Sequence, residues 1–156
     1  MDMPRPTAAH HRLDRLAGVW RGKETMHPSP WDPQGGVADG ESRVRMGLGG
    51  FAAIVDYRQT RNGELTFEGH GVYTVDPKTE DVVLHWFDSM GQGAELFRGV
   101  WEGERLSLTS QGAMGGARLC YDYSVAGRLQ SRMEMCMDGE EWRVLFDCEY
   151  ERVTET

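Results

Sequence analysis

Beyond about residue 17 the sequence consists almost entirely of short runs in which apolar and polar residues alternate, and the runs are separated by Gly, Asp-Gly, Asn-Gly and Asp-Pro turns. Period-two alternation places one side of each run in a core and the other in water, which is the pattern of a strand with one buried face. Turns this short join only antiparallel neighbours, because a parallel connection needs a crossover of a dozen or more residues. The runs are "GVWRGKET", "SRVRMGL", "DVVLHWFD", "ELFRGVW", "RLSLTS", "ARLCYDYSV" and the strands of two hairpins. Together they predict an all-β chain of about ten strands that closes into a barrel or stacks as a sandwich. One helix precedes them, over "TAAHHRLDRL", with Thr7 as N-cap and Gly18 just past its end.

Two hairpins can be set in register. In "MEMCMDGEEWRVLF" a turn at Asp138-Gly139 pairs Met135 with Trp142, Met133 with Val144 and Ser131 with Phe146, leaving Arg132, Glu134, Arg143 and Asp147 on the other face. In "FAAIVDYRQTRNGELTFEGHGVYTV" the Asn62-Gly63 turn sets Tyr57 opposite Glu68, Val55 opposite His70 and Ala53 opposite Val72. Tyr57, Glu68 and His70 then point inward with Phe51, Ala53 and Val55. A one-residue bulge would flip one strand and reverse this assignment.

At 156 residues the chain is of one-domain length, taken as 1–156 with the barrel proper at about 17–152. The 39% hydrophobic fraction supports a packed core, and a mean hydropathy of −0.56 without a long apolar run argues against a membrane helix. A net charge of −8 repels phosphate backbones, and no run of Lys or Arg offsets it, so nucleic acid is not an expected partner. The N-terminal "MDMPRPTAAHHRLDRL" resembles neither a signal nor a transit peptide, giving a cytoplasmic expectation. Cys120, Cys136 and Cys148 are odd in number and lack CxxC spacing, so buried free thiols are expected.

The stretch "LAGVWRG" resembles the Gly-x-Trp opening of lipocalins and other calycin barrels, with Gly18 and Trp20 in the motif positions. That resemblance implies a tryptophan closing the barrel floor with the helix beneath it. Together with "HPSPWDP", "GHGVYTVDP" and "WFDSMG", almost the whole chain, about residues 11–152, resembles the bacterial family known as domain of unknown function 1579. The implied fold is a single calycin-like antiparallel β-barrel with a short N-terminal helix; no reaction is implied. More distantly, "GVWRG" is similar to the opening of nitrobindins, haem-binding barrels whose ligand is a histidine late in the chain. This chain has no histidine after His85, so haem would call on His70, His85 or His27.

With Trp20 inward, strand parity puts Gly22 and Glu24 on the same face and Arg21 and Lys23 outside. Glu24 is thus a lumen carboxylate, or else an exposed glutamate at a strand end. The lumen wall combines Phe51, Val55, Val72, Trp86, Phe97, Trp101, Leu106, Tyr121, Met133, Met135, Trp142 and Phe146. "ETMHPSPWDPQGG" leaves the first strand as a stiff, proline-rich loop at the mouth, which makes His27 and Trp31 rim candidates. The ligand-binding candidates are Glu24, His27, Trp31, Tyr57, Glu68, His70, Trp86, Asp88 and Tyr121.

These residues fit a binding barrel that holds a small, mainly apolar or amphipathic molecule by one polar end. An alternative is an enzyme in which His70, with Glu24 or Glu68, moves a proton; His70 on the outer face would remove it. A third is a haem or divalent-metal site using His27, His70 and His85 with Glu24 or Asp88, although no HxH or HExxH spacing supports it and parity puts His85 outside. A passive interaction protein, as a homodimer for instance, stays open as well.

Overall fold

In the computed structural model, which describes residues 2–30, 32–112, 115–137 and 141–154, ten antiparallel strands follow one another around a closed barrel. They are β1 (Gly18–Met26), β2 (Gly36–Gly47), β3 (Ala52–Arg61), β4 (Glu64–Val75), β5 (Val82–Asp88), β6 (Glu95–Glu102), β7 (Arg105–Gly112), β8 (Gly115–Asp122), β9 (Arg128–Cys136) and β10 (Arg143–Val153). Each strand pairs with its sequence neighbours, and β1 pairs with β10 from Val19↔Val153 to Met26↔Phe146 to close the ring. Closure removes the two free edges that an open sheet would present.

The expected helix is present but tightens partway. An α-helical turn, α1 (Ala8–His11), runs into a 3-10 segment at Arg12–Leu16. Thr7 caps α1 reciprocally with His10, whose Nδ1 accepts from the Thr7 backbone N–H at 3.0 Å. Leu13 and Leu16 are buried under the barrel, and the Trp20 indole N–H donates to the Leu16 carbonyl at 3.0 Å. Trp20 therefore plugs the floor and ties it to the helix beneath. Because β1 rises from that floor, residues 27–30 and 32–35, which follow it, lie at the opposite end, the mouth.

Both hairpin registers needed correction. Asn62 and Gly63 have φ of 53° and 79°, as the expected tight turn requires. Beyond it, however, the pairing shifts between Gln59↔Phe67 and Thr60↔Leu65, so Thr66 is an extra residue. Its hydroxyl hydrogen-bonds the Gln59 carbonyl at 3.2 Å. The bulge reverses β4: Val55 faces Gly71 and Tyr57 faces Gly69, which sends Glu68, His70 and Val72 outward and brings Phe67 and Tyr73 inward.

In the β9–β10 hairpin the expected turn residues Asp138, Gly139 and Glu140 lie outside the described residues. The strands resume with Arg143↔Met135 and Val144↔Glu134, and then shift to Phe146↔Met133. Phe146 and Met133 remain inward. Val144 and Trp142 do not: Trp142 is partly exposed, and the Arg118 guanidinium stacks 4.3 Å from its ring centre on the outer wall. Phe51 packs edge-on to His10 at 4.9 Å, beneath the sheet instead of in the lumen. The outer wall carries cross-strand ion pairs such as Arg118–Glu134 and Arg132–Asp147, as its polar parity predicts.

A buried carboxylate in an aromatic lumen

A cavity of about 260 Å3 occupies the barrel above Trp20. Its lower wall is aromatic and aliphatic, with Tyr73, Leu84, Phe97 and Tyr121 prominent. Strand geometry makes room for it. Gly69 and Gly71 face inward on β4, and the Trp86 indole lies across both; a Cβ at Gly69 would stand 2.2 Å from Trp86 Cζ2. Tyr57 is the next aromatic up the wall, its ring 6.3 Å from that of Trp86.

Glu24 reaches this space from β1 and is 1% exposed. Its Oε1 accepts from the Tyr57 hydroxyl at 2.5 Å and from the Gln59 amide at 3.0 Å. Its Oε2 accepts from the Tyr150 hydroxyl and from the Cys148 thiol at 3.6 Å. A carboxylate offers about four acceptor positions, and all four partners here are donors, so its hydrogen-bonding capacity is filled without a cationic residue. Gly40 on β2 is shaped by the same group, since a Cβ there would approach Glu24 Oε2 to 2.5 Å. Burial in the first place, and the Glu24 charge in the second, push the Tyr57 phenol far above its ordinary value. Burial likewise raises Cys148 to about 12, leaving a protonated, unreactive thiol.

A second polar group stands near the mouth. The Trp86 indole N–H donates to Asp88 Oδ2 at 2.8 Å, and the backbone N–H of Met90 donates to Oδ1 at 2.9 Å. Glu95 lies opposite Trp86 in the β5–β6 register and also lines the cavity. Partial burial and the nearby Asp88 charge raise its pKa, against a hydrogen bond from Ser110.

Of the candidate residues, the structure gathers Glu24, Tyr57, Trp86, Asp88 and Tyr121 around one cavity. Glu68 and His70 are exposed on the outer face, where His70 Nδ1 bonds Asp56 Oδ1 at 2.7 Å. The expected proton-transfer pairing of His70 with Glu24 or Glu68 in the lumen is thereby corrected; the Thr66 bulge is its cause. His27 sits at the rim but turns outward to Asp147 Oδ2 at 2.8 Å, away from Glu24. Trp31 lies outside the described residues. His85 is exposed, as its parity requires. No His, Lys or Arg occurs among the described lining residues, and haem propionates entering this lumen would meet Glu24, Asp88 and Glu95. The described donor set does not fit haem. Among the described residues no group of three His, Cys, Asp or Glu is arranged to hold a metal ion.

Gln59, Glu95 and Tyr150 join the site without having been singled out from sequence. Parity alone carried the signal for all three: Gln59 is in phase with inward Tyr57, Glu95 with inward Phe97, and Tyr150 with inward Phe146.

The fold is shared with solved structures. Rv2717c from M. tuberculosis is 15% identical and superposes with a TM-score of 0.72, covering 95% of this chain and 99% of its own. The S-type phycobiliprotein lyase CPES from Guillardia theta is 9% identical with a TM-score of 0.63, covering 96% and 95% respectively. No curated protein matches the sequence. No described helix is long and apolar enough to cross a membrane. The family model "Protein of unknown function (DUF1579)" matches residues 5–152, so the chain belongs to that family.

Proposed function

We propose that the barrel binds a small, mainly apolar molecule with one polar end in its lumen. The observation that carries this reading is the cavity itself: a closed barrel that could have been packed solid keeps about 260 Å3 open among aromatic and aliphatic side chains, with a few polar groups gathered on its upper wall. The likeness in fold to a phycobiliprotein lyase agrees with such a use of the scaffold without naming the ligand. Glu24, Tyr57, Trp86, Asp88 and Tyr121 are the contacts proposed for the bound molecule. The free thiols of Cys120 and Cys148 agree with a reducing, cytoplasmic setting.

Calorimetry with a neutral naphthyl alcohol tests the reading. Saturable one-to-one binding is expected, and Met133→Trp, which places an indole in the lumen, should abolish it while circular dichroism still shows a folded barrel. Absence of saturable binding to the wild-type protein would overturn the proposal, as would binding that Met133→Trp leaves intact.

A further inference from the structure

The lumen is charged on one side only. Three carboxylates line it, Glu24, Asp88 and Glu95, and none of the described lining residues is basic. No ion pair among the described residues reaches Asp88 or Glu95; the basic side chains that are paired serve partners such as Glu41, Asp76, Glu134 and Asp147. The residues beyond the description, Met1, Trp31, Ala113, Met114, Asp138, Gly139, Glu140, Glu155 and Thr156, include no basic side chain either. A cavity with low-dielectric walls and charges of one sign focuses a field that attracts cations and excludes anions.

The three carboxylates are not equivalent. Glu24 already receives four donors, so its acceptor capacity is filled from within the barrel. Asp88 and Glu95 stand close enough on neighbouring strands for the charge of one to be felt by the other. Between them Trp86 lines the same space and presents a ring to whatever lies there. Two carboxylates beside an indole are complementary to an ammonium group, which gains both ion pairing and contact with the ring face. Resting on the lumen-binding reading above, we infer that the polar end of the ligand is a cation, a protonated or quaternary amine on an apolar or aromatic body, seated near the mouth against Asp88, Glu95 and Trp86. Fatty acids and other anionic amphiphiles are the class this lumen rejects.

Three probes that share a naphthyl body separate this inference from the reading beneath it: naphthylmethyl-trimethylammonium, the naphthyl alcohol and naphthylacetate, each titrated into the full chain by calorimetry at low salt. The expected order is cation over alcohol over carboxylate, with the cation at least about tenfold tighter than the alcohol. Added sodium chloride should narrow that gap by weakening only the cation. In Asp88→Asn/Glu95→Gln the ratio of cation to alcohol affinity should fall toward one. If the alcohol binds and the cation binds no better, or the carboxylate binds best, the cationic assignment is overturned while the lumen reading stands. If none of the three binds, the lumen reading itself fails.

Discussion

All five tyrosines of this chain, Tyr57, Tyr73, Tyr121, Tyr123 and Tyr150, line or floor the lumen, and burial raises the pKa of every one well above its ordinary value, that of Tyr73 to about 12. Alkali is therefore the perturbation to which the barrel should be most sensitive. A phenol whose folded pKa lies above its unfolded value of about 10 stabilises the native state fully below pH ~10, and that stability is lost as the pH rises further, because the unfolded chain releases protons that the folded one keeps. At pH 11 each such tyrosine favours unfolding by about 1.4 kcal/mol, from RT ln(1 + 10) with the unfolded pKa near 10. The fully buried Tyr73, Tyr123 and Tyr150 alone contribute about 4 kcal/mol, and all five about 7. Cys148, held at about 12 by burial and then by Glu24, adds roughly 2.5 kcal/mol on the same sign. The sum is comparable to the whole stability of an ordinary domain, about 5–15 kcal/mol. A titration from pH 8 to 12 should show almost no tyrosinate absorbance until a cooperative transition above pH ~10.5, at which all five phenols ionise together as the circular dichroism collapses. Reversible ionisation of several tyrosines with a midpoint near 10 while the dichroism stays native would refute the picture of phenols buried in the barrel wall.

Three substitutions probe the same arrangement. Glu24→Leu strands four donors, and two left unpaired at about 1–3 kcal/mol each should lower the melting temperature by roughly 4–24 °C, read by thermal dichroism; a neutral result would mean the donors re-pair freely. Gly69→Val adds atoms where even a Cβ stands 2.2 Å from the Trp86 ring, so Trp86 fluorescence should shift and stability fall by about 1–3 kcal/mol. His70→Ala removes only an exposed pair with Asp56 and should change denaturant stability by less than about 1 kcal/mol and leave probe binding unaltered; loss of binding would return His70 to the site.

The fold was legible because alternation and turn chemistry are local. "GVWRGKET" already placed Trp20 and Glu24 on one face with Arg21 and Lys23 on the other, and the structure keeps that division, pairing the two cations with Glu41 and Asp39. Period two cannot, however, count an unpaired residue. Thr66 in β4 and the shift between Val144 and Phe146 in β10 leave the polar pattern of each strand intact while changing which half of it meets the lumen. One extra residue was enough to exchange Glu68 and His70 for Phe67 and Tyr73 and so to replace a catalytic-looking pair with an aromatic wall.

What side-chain periodicity and turn chemistry determined by themselves was an antiparallel sheet of about ten strands after a short helix, with Glu24 in phase with Trp20 on the first strand; the closed barrel and the tryptophan floor were what the family resemblance implied. Only the tertiary structure decided what surrounds that glutamate. Cys148 and Tyr150 come from β10, which neighbours β1 only once the ring closes and lies more than a hundred positions further along the chain, while Tyr57 and Gln59 reach Glu24 from β3, on the far side of β2. Likewise the facing of Asp88 and Glu95 on one cavity depends on the β5–β6 register, and the acidic character of that cavity on which side chains all the strands present to it. Those are sums over the whole barrel, which no local stretch contains.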